Sequence, residues 1–316
     1  MKMKANDLTK LIAKWNCSIR EVMKIISDNW REVAPLESPR ASLHAVAVNG
    51  QIYAAGGSTI SGPSDIFEAY DPRSNTWRPL ESMPEGLDAF GMAARGDAIY
   101  VGGGFSKWKK GQPTASFYVF NTADGSWSRK AELPGARTGH TFTAVGDYIY
   151  AIGGRGAGAE RVLRYDPGTD KWSGFGTAMP GPRSGHAAAS LGGKIYLVGG
   201  RSANGETLSR VDVFDTADGR WSSAASLPVA VVGTTADFVG SELNVAGGAQ
   251  PALKRTLNDH YALSGGSWRK VAALPTPRQS LASAALDGKW FVIGGGAGSG
   301  VLAVFTETDL VEVYTP

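Results

Sequence analysis

The feature that most constrains this chain is a segment that occurs six times: a short apolar run that ends in two glycines. IYAAGG at 52–57 and IYAIGG at 149–154 are two of the copies. Consecutive copies are 46 to 50 residues apart, and a tryptophan precedes the first glycine of each by 26 or 27 residues. The six tryptophans are Trp30, Trp77, Trp127, Trp172, Trp221 and Trp268. Self-similarity at such a fixed period indicates a repeat architecture, in which one structural unit is stacked or arranged in a ring.

Each repeat contains four short β runs. HTFTAV at 140–145 joins YIYAIGG through a Gly-Asp turn, and RVLRYD at 161–166 joins KWSGF through Pro-Gly-Thr-Asp. Tight turns of this kind connect antiparallel strands. Four-stranded units repeated around an axis predict a β-propeller of six blades. In such a fold the glycine pairs permit close approach and positive φ, and the repeated aromatic side chains fill the space between blades.

The two ends of the chain indicate how the ring closes. After Gly295 the sequence supplies a third strand, DLVEVYTP at 309–316, but no fourth strand follows it. WREVAPL at 30–36 matches the fourth-strand segments WRPLESM and WRKVAAL. We therefore predict that the N-terminal strand completes the C-terminal blade, which leaves no open edge between the first and last blades.

These motifs resemble the kelch repeat family. The resemblance covers residues 30–316 and rests on the glycine pairs, Tyr-Asp-Pro, the tryptophan, and Leu-Pro or Met-Pro with a following arginine. The fifth copy departs most, because Leu243-Asn244 replaces Ile-Tyr and no arginine follows Pro228. The resemblance implies an all-β, six-bladed kelch-type propeller that binds its ligands on the face formed by its longer loops.

Residues 1–29 differ from the propeller segment, residues 30–316. They contain no glycine, and their apolar residues keep helical spacing, which predicts a short α-helical leader. We interpret it as a cap on the propeller or a non-native segment, or alternatively as a partner-binding helix. Lysines and Asp7 interrupt any secretory signal, and Cys17 is the single cysteine, so we expect a cytoplasmic protein.

Charge and the length of the apolar runs argue against two classes of partner. The net charge of the chain is +3, and beyond residue 30 basic and acidic residues are equal in number at 26 each. A nucleic-acid-binding domain usually has a basic excess, so we expect no nucleic-acid partner. No apolar run approaches membrane-spanning length, so we expect no membrane partner either. The sequence does not indicate an oligomeric state.

The loop face is predicted to carry the binding residues. Arg40, Arg137, Arg183 and Arg278 follow their tryptophans by ten or eleven residues, at the start of the first strand. In kelch domains that recognise acidic peptides, the matching arginines surround the mouth of the central channel. The resemblance therefore implies an acidic protein segment or a small anionic ligand, since guanidinium groups bind carboxylates well. The alternative is that the arginines pair with acids of the repeat itself.

The loops after the glycine pairs add more candidates. They carry Lys107, Trp108, Lys109, Arg155 and Arg201. An exposed tryptophan between lysines is typical of an interaction hot spot, although it could also fold back on its own blade. These residues extend the predicted anion-binding surface.

Catalysis and metal binding are weaker interpretations. His140 and His186 occupy the same repeat position and indicate a structural role, so we expect no metal site and no cofactor. No catalytic motif is present, and we assign no catalytic residue. One enzymatic alternative stays open: bacterial sialic acid mutarotases are six-bladed kelch proteins, and Asp88 or Glu85 could supply an acid or base. The sequence thus favours a protein-interaction module over a sugar-acid mutarotase or carbohydrate-binding domain.

Overall fold

Six four-stranded antiparallel sheets make up the protein in a computed structural model, which describes residues 29–110, 112–298 and 306–316. The predicted helical leader and Cys17 lie outside the described residues. In blades 1 to 5 the strands follow one another in sequence order. First strands of neighbouring blades are in contact, so each first strand is innermost and lines a central channel. The all-β, six-bladed propeller predicted from the repeats is therefore confirmed.

The strands of blades 1 to 3 are joined in pairs by tight turns, as the sequence predicts. Blade 1 consists of His44–Val48, Gln51–Ala55, Phe67–Asp71 and Thr76–Pro79. Blade 2 consists of Gly91–Arg95, Ala98–Gly102, Phe117–Asn121 and Ser126–Arg129. Blade 3 consists of Thr141–Val145, Tyr148–Ile152, Leu163–Asp166 and Lys171–Gly174.

Blades 4 to 6 repeat this pattern, and the last is completed from the N-terminal side. Blade 4 consists of Ala187–Leu191, Lys194–Val198, Val211–Asp215 and Arg220–Ala224. Blade 5 consists of Thr235–Val239, Glu242–Ala246, His260–Ser264 and Ser267–Lys270. Blade 6 consists of Ala282–Leu286, Lys289–Ile293, Val311–Tyr314 and the N-terminal strand Trp30–Val33.

The ring closes as the sequence predicts. Trp30–Val33 pairs antiparallel with Val311–Tyr314, so that Trp30 lies opposite Tyr314 and Val33 opposite Val311. Asn29 adds two hydrogen bonds at the end of this pair, since its carbonyl oxygen accepts from the Thr315 amide and its side-chain amide donates to the Thr315 carbonyl. Both ends of the chain thereby pair in one continuous ladder within blade 6, whose fourth strand is supplied by the N-terminal side.

Each repeat tryptophan joins two blades. Its indole N–H donates a hydrogen bond to a backbone carbonyl just beyond the fourth strand of the preceding blade, over 2.7 to 3.1 Å. The accepting residues are Ala272, Ala34, Glu81, Ala131, Thr177 and Ala225. The rings pack on the repeat tyrosines and phenylalanines, for example Trp77 on Tyr70. The tryptophan recurs at the same position of each repeat because it both fills the gap between blades and fixes their spacing.

Strand direction places the loops on two faces. The tight turns that join strands one to two and three to four lie on one face, which we call the tight-turn face. The longer connections lie on the opposite loop face and contain short two-residue ribbons, such as Ser58–Thr59 with Gly62–Pro63. The one helical element of the described ranges is a 3-10 turn, Pro251–Leu253, also on the loop face. No helix among the described residues is long and apolar enough to cross a membrane.

Candidate functional site

Four arginines predicted to bind a ligand are buried inside the blades. Arg40, Arg137, Arg183 and Arg278 are at most 2% exposed. Arg40 donates to Glu68 over 3.1 Å and Arg278 donates to Glu312 over 2.6 Å, while Arg183 pairs with Asp212. Each acid lies on the third strand of the same blade as its arginine. These contacts correct the sequence expectation, because the guanidinium groups do not face an open surface.

The paired arginines also hold the glycine turns. In each paired blade, Nη1 donates to the carbonyl of the first glycine, at 3.0 Å for Gly56 and 3.2 Å for Gly199. It also donates to the carbonyl two residues before the acid, as with Ile66 in blade 1. Burial lowers the pKa of Arg40, and the charge of Glu68 opposes that effect. The arginine is thus a brace between the glycine turn and the third strand.

Arginine and acid occur together in some blades and are replaced together in others. Blade 2 has Leu87 at the arginine position and Tyr118 at the acid position. Blade 5 has Val231 and Tyr261 at the same two positions. An unpaired buried charge is costly, so loss of one partner favours loss of the other. The pattern within this one chain indicates that the arginine and the acid depend on each other.

Arg137 is the exception. The acid position of blade 3 is taken by Leu163, and the Arg137 guanidinium reaches two carbonyls, those of Gly153 and Gly158, over 3.5 and 3.4 Å. No carboxylate lies within ion-pair distance of it among the residues that the structure describes. Burial lowers the pKa of Arg137 to about 10, which still leaves it charged at neutral pH. Among the described residues, Arg137 is therefore a buried cation without a carboxylate within 4.0 Å.

The predicted cations in the loops have a different environment. Lys107, Trp108 and Lys109 are exposed in the blade 2 loop, and the Trp108 side chain is 68% accessible to solvent. Arg155 is exposed in the blade 3 loop, where its Nε donates to the Ser184 hydroxyl over 3.2 Å. Arg201 is half-buried. Trp108 thus does not fold back on its own blade, and the cationic side chains available on this face belong to the loops.

The blade 2 loop is supported from below by Glu85. This carboxylate is 2% exposed and accepts hydrogen bonds from the Ser106 hydroxyl and, over 3.1 Å, from the Tyr118 hydroxyl. The Ser106 hydroxyl in turn accepts from the Lys109 amide over 3.3 Å. Glu85 therefore fixes the base of the loop that presents Trp108, a role that the sequence analysis missed.

A ring of six backbone hydrogen bonds surrounds the loop-face end of the channel. Each N–H donates to the carbonyl of the ring residue in the preceding blade, over 2.7 to 3.3 Å. The ring residues have positive φ and are Ser42, Ala89, Gly139, Gly185, Gly233 and Ser280. Positive φ is costly for the serines and the alanine, and the closed hydrogen-bond ring offsets that cost. The channel mouth on the loop face is consequently formed by backbone.

The channel interior offers little to an anion. Its volume is about 420 Å³, and alanine, serine and threonine side chains of the innermost strands form most of its wall. His44, His186 and Asp237 are the ionisable residues that line it, with no lysine or arginine among the described lining residues. Asp237 accepts from the amides of Phe238 and Ala285, each over 2.9 Å, and burial raises its pKa to about 6.

The channel wall does not provide the groups that the mutarotase alternative requires. It requires cationic side chains that hold a sugar carboxylate beside an acid or base. Asp237 lines the channel, but the braced arginines do not, and neither do the candidates Asp88 and Glu85. Asp88 is half-buried in the ribbon strand Leu87–Asp88, and burial raises its pKa to about 6. The group that would recognise a carboxylate is thus missing from the described channel wall.

The histidines pack against glycines. His140 lies against Gly103 and His186 against Gly153, where a Cβ on either glycine would come within 2.5 Å of the ring. Leucines occupy the same position in blades 1 and 6, as Leu43 does against Gly294. Burial lowers the pKa of His186 to about 3. No group of three or more potential metal ligands occurs within the described ranges.

Comparison with known proteins identifies the family. The model of the KLHDC2/KLHL20/DRC7 Kelch-repeats domain matches residues 22–154 and 139–313. The chain belongs to the kelch-repeat family. This confirms the resemblance noted from the glycine pairs and tryptophans.

The curated relatives are mostly longer than this chain. Kelch-like protein 36 of Mus musculus is 26% identical over 215 residues, 66% of this chain and 35% of the relative. Kelch-like protein terF of Aspergillus terreus is 27% identical over 325 residues, 98% of this chain and 58% of the relative. The solved structure of YjhT has a TM-score of 0.77 at 20% identity and covers 88% of this chain and 95% of its own. At that identity the likeness shows the fold.

Proposed function

We propose that this kelch propeller is a protein-interaction module whose loop face binds an acidic segment of another protein. Lys107, Trp108, Lys109, Arg155 and Arg201 are the proposed contact residues. The observation that carries the proposal is the exposed Trp108 between lysines, on a loop whose base is fixed by buried hydrogen bonds.

The lysines of this loop are free to pair with a ligand. No ion pair within 4.0 Å involves Lys107, Lys109 or Lys110 in the part of the chain that the structure describes. By contrast, most buried cations of the propeller already have carboxylate partners. Exposed charges of one sign steer an oppositely charged partner and fix its register, while an aromatic anchor supplies most of the affinity. An acidic segment is the partner that this combination suits.

A defined peptide library tests the proposal. Immobilised full-length protein would be panned against displayed 16-residue peptides, and selected peptides would be measured by fluorescence anisotropy. We expect enrichment of Asp- and Glu-rich sequences whose affinity falls as salt is raised. Lys107→Ser with Lys109→Ser should weaken binding by about two- to thirtyfold, because two exposed charge pairs at roughly 0.2–1 kcal/mol each contribute about 0.4–2 kcal/mol.

The matched control is on the tight-turn face. Arg73→Ser with Lys171→Ser removes the same charge from exposed positions next to the turns between strands three and four. This pair should leave peptide affinity unchanged within about twofold. Equal loss of peptide affinity in both double variants would mean that net charge, and not the loop lysines, determines binding. Selection of peptides without acidic bias would overturn the proposal.

A further inference from the structure

We infer that binding centres on a ridge formed by the loops of blades 1 and 2, and that the partner segment carries a large apolar side chain between acidic residues. The blade 1–2 ridge consists of residues 58–64, 85–88, 105–110 and 112–113. The inference rests on the proposed function and narrows it to one part of the loop face and one class of acidic segment.

Backbone contacts make the two loops one surface. Ser64 bridges to Leu87, whose amide donates to the Ser64 carbonyl over 2.9 Å. The strand Leu87–Asp88 then pairs with Phe105–Ser106 of the blade 2 loop. The Lys107 amide donates to the Gly86 carbonyl, also over 2.9 Å. The blade 1 loop, the connection between blades and the blade 2 loop thus form a continuous hydrogen-bonded layer.

Gly86 lets the two loops approach closely. A Cβ at this position would lie 2.8 Å from the Pro63 carbonyl oxygen and 3.0 Å from the Lys107 Cβ. Any larger residue would therefore push the blade 1 loop and the blade 2 loop apart. Pro63, in the ribbon whose turn carries Ile60, and Lys107, next to Trp108, therefore both lie against Gly86.

The ridge concentrates exposed apolar surface. Ile60 is 82% exposed and Trp108 is 68% exposed, in turns of adjacent blades. Only two other large apolar side chains of the described residues are exposed: Leu253, in the blade 5 loop, and Leu191, beside a tight turn. Exposed large side chains gathered in one place indicate an interaction surface, whereas scattered single ones do not.

The charge on the ridge selects the partner. Lys107, Lys109 and Lys110 are exposed around Trp108. The acids of the ridge are Glu85, which is buried and bonded to two hydroxyls, and Asp88, which is half-buried. A segment that inserts an aromatic or aliphatic side chain between Ile60 and Trp108 would place flanking carboxylates near the lysines. Apolar anchoring with acidic flanks is thus the chemistry that fits this ridge.

The fixed base of the loop strengthens the inference. The hydrogen bonds from Ser106 and Tyr118 to Glu85 hold the loop before any ligand arrives. A preordered loop loses little conformational freedom on binding, so more of the contact energy appears as affinity. Trp108 therefore has the properties of an anchor residue.

The test uses fluorescein-labelled tridecapeptides of Asp and Glu whose central residue is Phe, Leu or Ser. Anisotropy with the full chain should show the Phe peptide binding at least about tenfold more tightly than the Ser peptide. Trp108→Ser or Ile60→Ser should abolish that preference. Leu253→Ser is the matched control, because Leu253 is equally exposed at 69% on the same face but three blades away from blade 2.

The outcomes separate this inference from the proposed function. If all peptides bind equally and their binding depends on the lysines, the acidic-segment function stands and the apolar anchor is overturned. The ridge is likewise overturned if the Phe preference survives Trp108→Ser or is lost in Leu253→Ser. If no acidic peptide binds, the proposed function itself fails. Far-UV circular dichroism should be unchanged in these surface variants.

Discussion

The comparison of Arg40 with Arg137 gives a sharp test of the bracing role assigned to the buried arginines. Both guanidiniums are almost inaccessible to solvent, but Arg40 has Glu68 at 3.1 Å and Arg137 has no carboxylate partner among the described residues. Replacing each with methionine keeps an apolar stem of similar length. The two substitutions therefore differ chiefly in that Arg40→Met leaves a buried carboxylate, that of Glu68, without its partner.

The expected costs differ by several kcal/mol. Arg40→Met leaves the Glu68 carboxylate buried and unpaired, and breaking a buried pair in this way costs about 3–5 kcal/mol. It also removes hydrogen bonds of 3.0 Å to the carbonyls of Gly56 and Ile66. Arg137→Met removes a desolvated charge that makes two contacts of 3.4–3.5 Å, so the change in unfolding free energy should lie within about 1 kcal/mol of zero.

A double-mutant cycle completes the test. Arg40→Met combined with Glu68→Leu replaces the whole pair by apolar groups, as Leu163 already replaces the acid in blade 3. The double variant should be more stable than the sum of the two single changes predicts, by at least about 2 kcal/mol. Stability would be measured by guanidinium unfolding, followed by both tryptophan fluorescence and circular dichroism. Equal destabilisation by Arg40→Met and Arg137→Met would refute the argument.

Three further substitutions test other contacts. His186→Leu, which copies Leu43 of blade 1, should make the folded protein less sensitive to acid. The pKa of His186 is about 3 in the folded state and 6.5 in the unfolded state, so protonation of the unfolded state lowers the unfolding free energy of the parent by roughly 2 kcal/mol between pH 7 and 5. Unfolding measured against pH should show a smaller loss in the variant. Glu85→Ala should speed hydrogen exchange at the Lys109 amide while exchange in other blades stays unchanged; unaltered exchange at that amide would count against loop support by Glu85. Trp30→Phe removes the N–H bond from the closing strand to the Ala272 carbonyl beyond blade 5, and a loss of about 1 kcal/mol or more is expected in thermal unfolding; a wild-type Tm would contradict that role.

The sequence was sufficient to predict the blades because the repeat carries its own geometry. The tryptophan spacing and glycine pairs located all six sheets, and the match of residues 30–36 to other fourth strands predicted the closure that pairs Trp30 with Tyr314. These features are local in each copy and recur in register. The ring of positive-φ residues was not predicted, since Ser42, Ala89 and Ser280 have no sequence signal for that conformation.

The arginines were misplaced because position in a repeat does not reveal what a side chain contacts. The sequence put Arg40 at the start of an innermost strand, but its partner comes from the third strand, 28 residues later. A signal was nevertheless present. Glu68, Asp212 and Glu312 each precede the repeat aromatic residue by two positions, in blades that have the arginine. Reading the two positions together would have identified the pairs.

Blade 2 lacks the buried arginine–acid pair and carries the loop with the proposed contact residue Trp108. With Leu87 and Tyr118 at the two pair positions, Glu85 has no ion pair within 4.0 Å in the described ranges, and it accepts from Tyr118 and from Ser106 of the exposed loop. The same carboxylate beside a buried arginine would form an ion pair within the blade, and the loop would lose its support. The absence of the arginine pair and the presence of an ordered, Trp108-bearing loop in the same blade are therefore linked through one hydrogen-bond network. The proposed binding surface thus includes one of the two blades that lack the arginine pair, and Glu85 is what connects the two features there.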